Sequence, residues 1–74
     1  MVVIYVLVVT EVGRESEVTR ELSKIKGVTE AKTVYGEFDV VARIEAENLK
    51  EVDEIITSIR KISGIIRTVT LISA

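Results

Sequence analysis

The 74-residue chain carries ten Lys and Arg against twelve Asp and Glu, a formal charge of −2, with no Cys, His, Pro or Trp. That length makes one domain, residues 1–74, near the lower limit of independent folding. The missing thiol and imidazole exclude disulfides, thiolate and imidazole metal centres and the Cys–His or Ser–His nucleophile pairs, and the lack of cysteine points to a cytoplasmic setting.

Bases scattered among acids leave no electrostatic footprint for nucleic acid, and Tyr5, Tyr35 and Phe38 are too few for a base-stacking platform. The opening run Val2–Val9 is far too short to span a bilayer, and neither helix candidate has a Lys/Arg-dominated face that would bind one. The run reads instead as a strand, about Val2 to Thr10. Its two faces, Val2, Ile4, Val6, Val8 and Val3, Tyr5, Leu7, Val9, are both apolar, which suits a central place in a sheet. After Gly13, Val18, Leu22 and Ile25 recur at helical spacing, predicting a helix of roughly three turns with Glu15, Glu17, Arg20, Glu21 and Lys24 on its solvated side.

Lys24-Ile25-Lys26-Gly27-Val28 then reads as a helix end, a glycine stop and a strand start, and Lys61-Ile62-Ser63-Gly64-Ile65 repeats it. A strand over Val28 to Tyr35, polar at Thr29, Glu30, Lys32 and Thr33, fits a sheet edge. The next strand covers Phe38 to Glu45. Asn48 and Glu51 form an N-cap and its reciprocal partner ahead of a helix whose Leu49, Val52, Ile55, Ile56, Ile59 and Ile62 lie along one stripe, and a last strand covers Ile65 to Ser73.

The order βαββαβ predicts an α+β, ferredoxin-like split βαβ sandwich: an antiparallel four-stranded sheet ordered 4-1-3-2 with two helices on one face. Strict alternation puts Phe38, Val40, Ala42, Ile44, Ile65, Val69 and Leu71 on the helix side. It sends Asp39, Val41, Arg43, Glu45, Ile66, Thr68, Thr70 and Ile72 to the open side. Because the first strand is apolar on both faces, the open face needs a cover, and a second copy packed sheet to sheet is the economical one.

The candidate site is Tyr35-Gly36-Glu37-Phe38-Asp39. Gly36-Glu37 suits a two-residue type II′ turn, whose exposed amides can take a carboxylate while Asp39 pairs with an ammonium. A free α-amino acid has both groups. The plainer alternative is that Gly36 only turns the chain, Phe38 only fills the core and Asp39 only ties down the hairpin. An enzyme is not expected, since a general base would have to be Glu37, Asp39 or Glu45 with nothing to raise its pKa. No metal and no cofactor are expected either.

With the element order, this hairpin and Gly64-Ile65 followed by Thr68-x-Thr70, the chain resembles the effector-binding (RAM) domain of the Lrp/AsnC feast/famine regulators. The resemblance implies an amino-acid sensor that binds its ligand in clefts between subunits, with sheet-to-sheet dimers commonly built into larger rings. Carried over, Tyr35, Gly36, Glu37 and Phe38 line the cleft, the Gly36-Glu37 amides meet the carboxylate and Asp39 meets the ammonium. Thr68 and Thr70 contribute hydroxyls from a neighbouring chain. Full-length relatives carry a DNA-reading helix-turn-helix, whereas here Met1 directly precedes the first strand, so a stand-alone effector domain is expected, acting freely or beside full-length regulators. An ACT-like allosteric module, with its glycine after the first strand at Gly13, and a ligand-free oligomerisation module are the competing readings.

Overall fold

In the computed structural model, which describes residues 1–73, the chain runs β1 (Val2–Thr10), α1 (Glu15–Ser23), β2 (Val28–Thr33), β3 (Val40–Ala46), α2 (Leu49–Arg60) and β4 (Ile65–Ile72). All pairings are antiparallel and the sheet is ordered β2-β3-β1-β4, as expected. Val18 and Leu22 of α1 and Val52, Ile55 and Ile59 of α2 share one buried core with Ile4, Val6, Val8, Val40, Ala42 and Ile44. Both helices therefore cover the same face, and burying these side chains supplies the main stabilising term, roughly 1.5–3 kcal/mol for each large one. Among the described residues no helix is long and apolar enough to cross a membrane.

The internal repeat in the sequence is a repeat of backbone geometry. Lys24 and Ile25 donate to the Glu21 and Leu22 carbonyls, and Lys61 and Ile62 donate to those of Ser58 and Ile59, so both helices close on a tightened last turn. Gly27 and Gly64 follow at φ +99° and +98°. At Gly27 a Cβ would lie 2.7 Å from Ile55 Cδ1 and 3.1 Å from the Glu45 carbonyl oxygen, so the position needs glycine for its dihedral and for the close approach. The first helix is shorter than predicted. It ends at Ser23, and Ile25 reaches the core from beyond it. At the start of α2, Asn48 Oδ1 accepts the Glu51 N–H at 2.9 Å, the expected N-cap bond.

Two expectations about the site are overturned. The hairpin is not a two-residue turn: β2 stops at Thr33, β3 starts at Val40, and the Val34 N–H donates to the Asp39 carbonyl at 2.9 Å, closing a loop over residues 35–38. Gly36 does adopt φ +125°, so the glycine is needed in a wider loop. Phe38 consequently leaves the strand. It is half-buried in the loop, not aligned with Val40 in the core.

The second correction is the phase of β4. Thr10 pairs with Ile65 while Val9 pairs with Arg67, so a bulge leaves Ile66 without an opposite number. Beyond it Thr68, Thr70 and Ile72 pair with Val8, Val6 and Ile4, which face the helices, and Arg67, Val69 and Leu71 pair with Val9, Leu7 and Tyr5 on the open face. A single extra residue exchanges the faces. Thr68 and Thr70 therefore do not share the open face with Arg43 and Val41, as alternation from Ile65 predicted.

Candidate functional site

The loop between β2 and β3 is pinned to β1 from below. Asp39 donates its N–H to the Val8 carbonyl at 2.8 Å, and its Oδ2 accepts the Thr10 N–H at 2.9 Å, with the Thr10 hydroxyl 3.5 Å away. Thr10 is 5% exposed, so this carboxylate satisfies a buried donor just beyond the Val8–Val40 pair, where the β1–β3 ladder ends. The Asp39 carboxylate is thus turned toward the sheet's own backbone. Its tying-down role, the plainer of the sequence alternatives, is real.

Above this anchor the tip stands open. Tyr35 is fully exposed, Gly36 and Glu37 are exposed, and among the described residues no hydrogen bond engages the Gly36 or Glu37 amides. Two unengaged backbone donors at an exposed tip are groups to which an anion can bind. The half-buried Phe38 ring carries the Arg67 guanidinium, whose Cζ lies 5.6 Å from the ring centroid. Sequence reasoning missed Arg67 because the assumed phase of β4 drew attention to the threonines beside it. Thr68 is half-buried and Thr70 exposed on the helix side of this edge strand. Within one chain the structure does not bring them to the hairpin amides.

Other charged groups are committed elsewhere. Arg14 pairs with Glu11 at 2.8 Å and Glu17 at 2.7 Å and donates to Ser63 Oγ at 3.2 Å, clamping the loop after β1 to the loop before β4. These carboxylates hold its pKa above the ordinary guanidinium value, and Arg14 in turn holds the Glu17 carboxyl below the usual range, mainly through their hydrogen bond. The Gly13 amide, the ligand donor of the ACT-like alternative, is occupied by Glu15 Oε1 at 2.7 Å. On the open face Arg43 pairs with Glu45 and donates to Thr29 Oγ1 at 3.0 Å, and Glu45 and the Tyr5 phenol hold its pKa up. A depression of about 180 Å3 lined by Tyr5, Glu30, Lys32, Val34, Val41 and Arg43 lies beside this cluster. A cleft of about 240 Å3 opens between the helices over Ile25 and Ile55. Neither includes residues 35–39, and among the described residues no cluster of acids is arranged to hold a metal ion.

The fold has close counterparts. The sequence profile of the Lrp/AsnC ligand binding domain matches residues 3–74. An uncharacterised HTH-type transcriptional regulator of Pyrococcus furiosus is 40% identical over 60 residues, covering 80% of this chain and 40% of the regulator. A homocitrate synthase of Sulfurisphaera tokodaii is 40% identical over 53 residues, 72% of this chain and 12% of the enzyme. The chain thus spans less than half of either relative. Among solved structures, a hypothetical protein from Pyrococcus horikoshii superposes with a TM-score of 0.94 at 41% identity, covering 100% of this chain and 90% of that one. The fold alone is shared, at 18% identity and a TM-score of 0.82, with a feast or famine regulatory protein of M. tuberculosis complexed with L-methionine, covering 99% of this chain and 50% of that one. With the profile matched over nearly its whole length, the chain belongs to the family of Lrp/AsnC ligand-binding domains.

Proposed function

We propose that this chain is an amino-acid-binding effector domain that self-assembles and adjusts the activity of the regulators of amino-acid metabolism with which it acts. It does not itself read DNA. One observation carries the reading: in a ligand-binding domain family, the Gly36 and Glu37 amides stand unengaged on an anchored loop, two residues from Asp39 in sequence. The amides receive the ligand's carboxylate. The Asp39 carboxylate, with Oδ2 held by Thr10, offers its remaining oxygen to the ammonium. The M. tuberculosis protein of the same fold with its bound L-methionine supports an amino acid as the ligand class. Occurrence of related segments in an HTH-type regulator and in a homocitrate synthase suits a sensor whose output is set by what accompanies it.

One copy offers only part of a pocket, and the remaining walls come from other copies. Val3, Tyr5, Leu7, Val9, Val41, Val69 and Leu71 make the open face largely apolar, with Tyr5 38% and Leu71 50% exposed. Packing this face on its own copy removes the apolar surface from water and gives a two-fold dimer. Assembly of dimers brings Thr68 and Thr70 of a neighbouring copy to the Tyr35–Asp39 loop.

The test is isothermal calorimetry of the purified chain against the twenty amino acids, with an Asp39→Asn variant and light-scattering mass alongside. Asparagine keeps an acceptor for Thr10 and removes the charge. Saturable heat with one or a few amino acids, lost in the variant while the mass persists, is the expected result. Absence of heat with every amino acid refutes the sensor reading in favour of an assembly module.

A further inference from the structure

Arg67 reaches the hairpin loop from β4. Val9 pairs with it, so it rises from the open face at the hairpin end of the sheet, and its guanidinium lies over Phe38, between the Gly36-Glu37 amides and Asp39 in sequence. The five-donor fork of arginine ordinarily finds a carboxylate. The other guanidiniums on this end and face do so: Arg14 takes Glu11 and Glu17, and Arg43 takes Glu45. Among the described residues, the Arg67 side chain makes no ion pair or hydrogen bond, only its contact with Phe38.

Charge balance around the loop is informative. Glu37 and Asp39 flank Phe38 in the loop and Arg67 lies over its ring, so this end of the sheet carries both signs of charge. Asp39 belongs to the β3 side of β1 and Arg67 to the β4 side, two strand spacings or roughly 10 Å apart at the backbone, and the arginine leans back across that gap onto Phe38. A neutral dipolar ligand fits this arrangement, with its ammonium at Asp39 and its carboxylate at Arg67. A ligand with a second negative group would meet Glu37.

We infer that Arg67 is a binding residue of the hairpin site, gripping the ligand's carboxylate together with the Gly36-Glu37 amides, so that the site accepts α-amino acids with a free carboxylate and rejects their carboxamides and esters. The inference rests on the amino-acid reading above and deepens it. A carboxylate has two oxygens with about four acceptor positions, enough for the guanidinium on one oxygen and a backbone amide on the other. The stack on Phe38 holds the fork in place before the ligand arrives, so little rotamer freedom is lost on binding.

The experiment takes each amino acid that gives saturable heat with the intact protein and repeats the titration with its carboxamide, on wild type and on Arg67→Gln and Arg67→Lys, with light-scattering mass checked for all three. Arg67→Gln is expected to weaken the free amino acid roughly ten- to hundredfold, the loss typical of a charge-assisted hydrogen bond. Arg67→Lys keeps part of it. The carboxamide binds wild type weakly, and by less than a twofold difference from Arg67→Gln, a readout that a merely structural role for Arg67 would not produce. A carboxamide that binds wild type as tightly as the acid, or an Arg67→Gln variant that binds the acid as wild type does, overturns the inference while leaving the amino-acid reading intact. Failure of every amino acid to bind wild type overturns both.

Discussion

Asp39 is the residue at which stability and function meet, and replacing it with alanine separates them. The carboxylate accepts the Thr10 N–H at 2.9 Å, and Thr10 is 5% exposed, so alanine strands a buried backbone donor at the end of the β1–β3 ladder. Losing a hydrogen bond to a charged acceptor while leaving the donor buried costs roughly 1.5–3 kcal/mol. For a domain of this size that lowers Tm by on the order of 10 °C. Asparagine retains an acceptor oxygen in the same place and should cost less than about 1 kcal/mol. The assay is urea unfolding followed by circular dichroism, with all three proteins at one concentration because association adds a concentration-dependent term. If Asp39→Ala falls within about 0.3 kcal/mol of wild type, well below the value of such a bond, the Thr10 N–H does not depend on this carboxylate. If Asp39→Asn is as damaging as Asp39→Ala, the charge and not the acceptor is what this strand end requires. Either result refutes the anchoring argument.

Gly27→Ala should destabilise by roughly 2–4 kcal/mol, combining positive-φ strain with crowding against Ile55 and the Glu45 carbonyl, whereas Gly13→Ala, with nothing within 4 Å of its Cβ, should lose only about 1 kcal/mol. Equal losses in urea titrations would discount the close approach. Leu71→Asp on the open face should reduce the light-scattering mass toward the monomer with the circular dichroism spectrum retained, while Thr70→Asp on the other side should leave the sheet-to-sheet dimer intact. The reverse pattern would return β4 to the phase that strict alternation predicts. Glu17 should titrate below an ordinary glutamate by NMR, because Arg14 stabilises its charged form, and Arg14→Gln should return it to the ordinary value. A depressed carboxyl pKa contributes stability above the unfolded-state value and loses it as pH falls through the folded one, so the pair helps at neutral pH and not in acid. A Glu17 midpoint unmoved by Arg14→Gln would show that the ion pair does not persist in solution.

Local signals carried most of the fold. The apolar stretch of β1, the spacing of Val18 and Leu22 and the Asn48 cap each report on neighbours within a few residues, and each appears where it was expected; Gly27 and Gly64 turn the chain at positive φ, but three residues past the helix caps at Lys24 and Lys61. The strand order followed as well, because two strand-helix-strand units with short loops leave few ways to form one sheet. Family membership was equally legible, since the hairpin and the Gly64-Ile65 segment are read directly from residue types.

The candidate site was legible only in its residues. Tyr35 to Asp39 stand together as a loop, yet which way each side chain works depends on groups far along the chain. Asp39 is drawn to Thr10, 29 positions earlier, because the ladder between β1 and β3 ends at Val8 and Val40 and leaves the next donor on that side, the Thr10 N–H, without a strand partner. On its other side, β1 slips by one residue against β4 at the same end. No local pattern announces that slip: Ile65 and Ile66 are alike in propensity, and either could have been the extra residue. Composition, periodicity and capping thus determined the elements and their order, because these depend on interactions within a turn or along a strand. The tertiary structure alone decided that Thr68 and Thr70 turn toward the helices and Arg67 toward the open face, because a side chain's face is set by pairing with a distant strand, and one bulged residue reverses it.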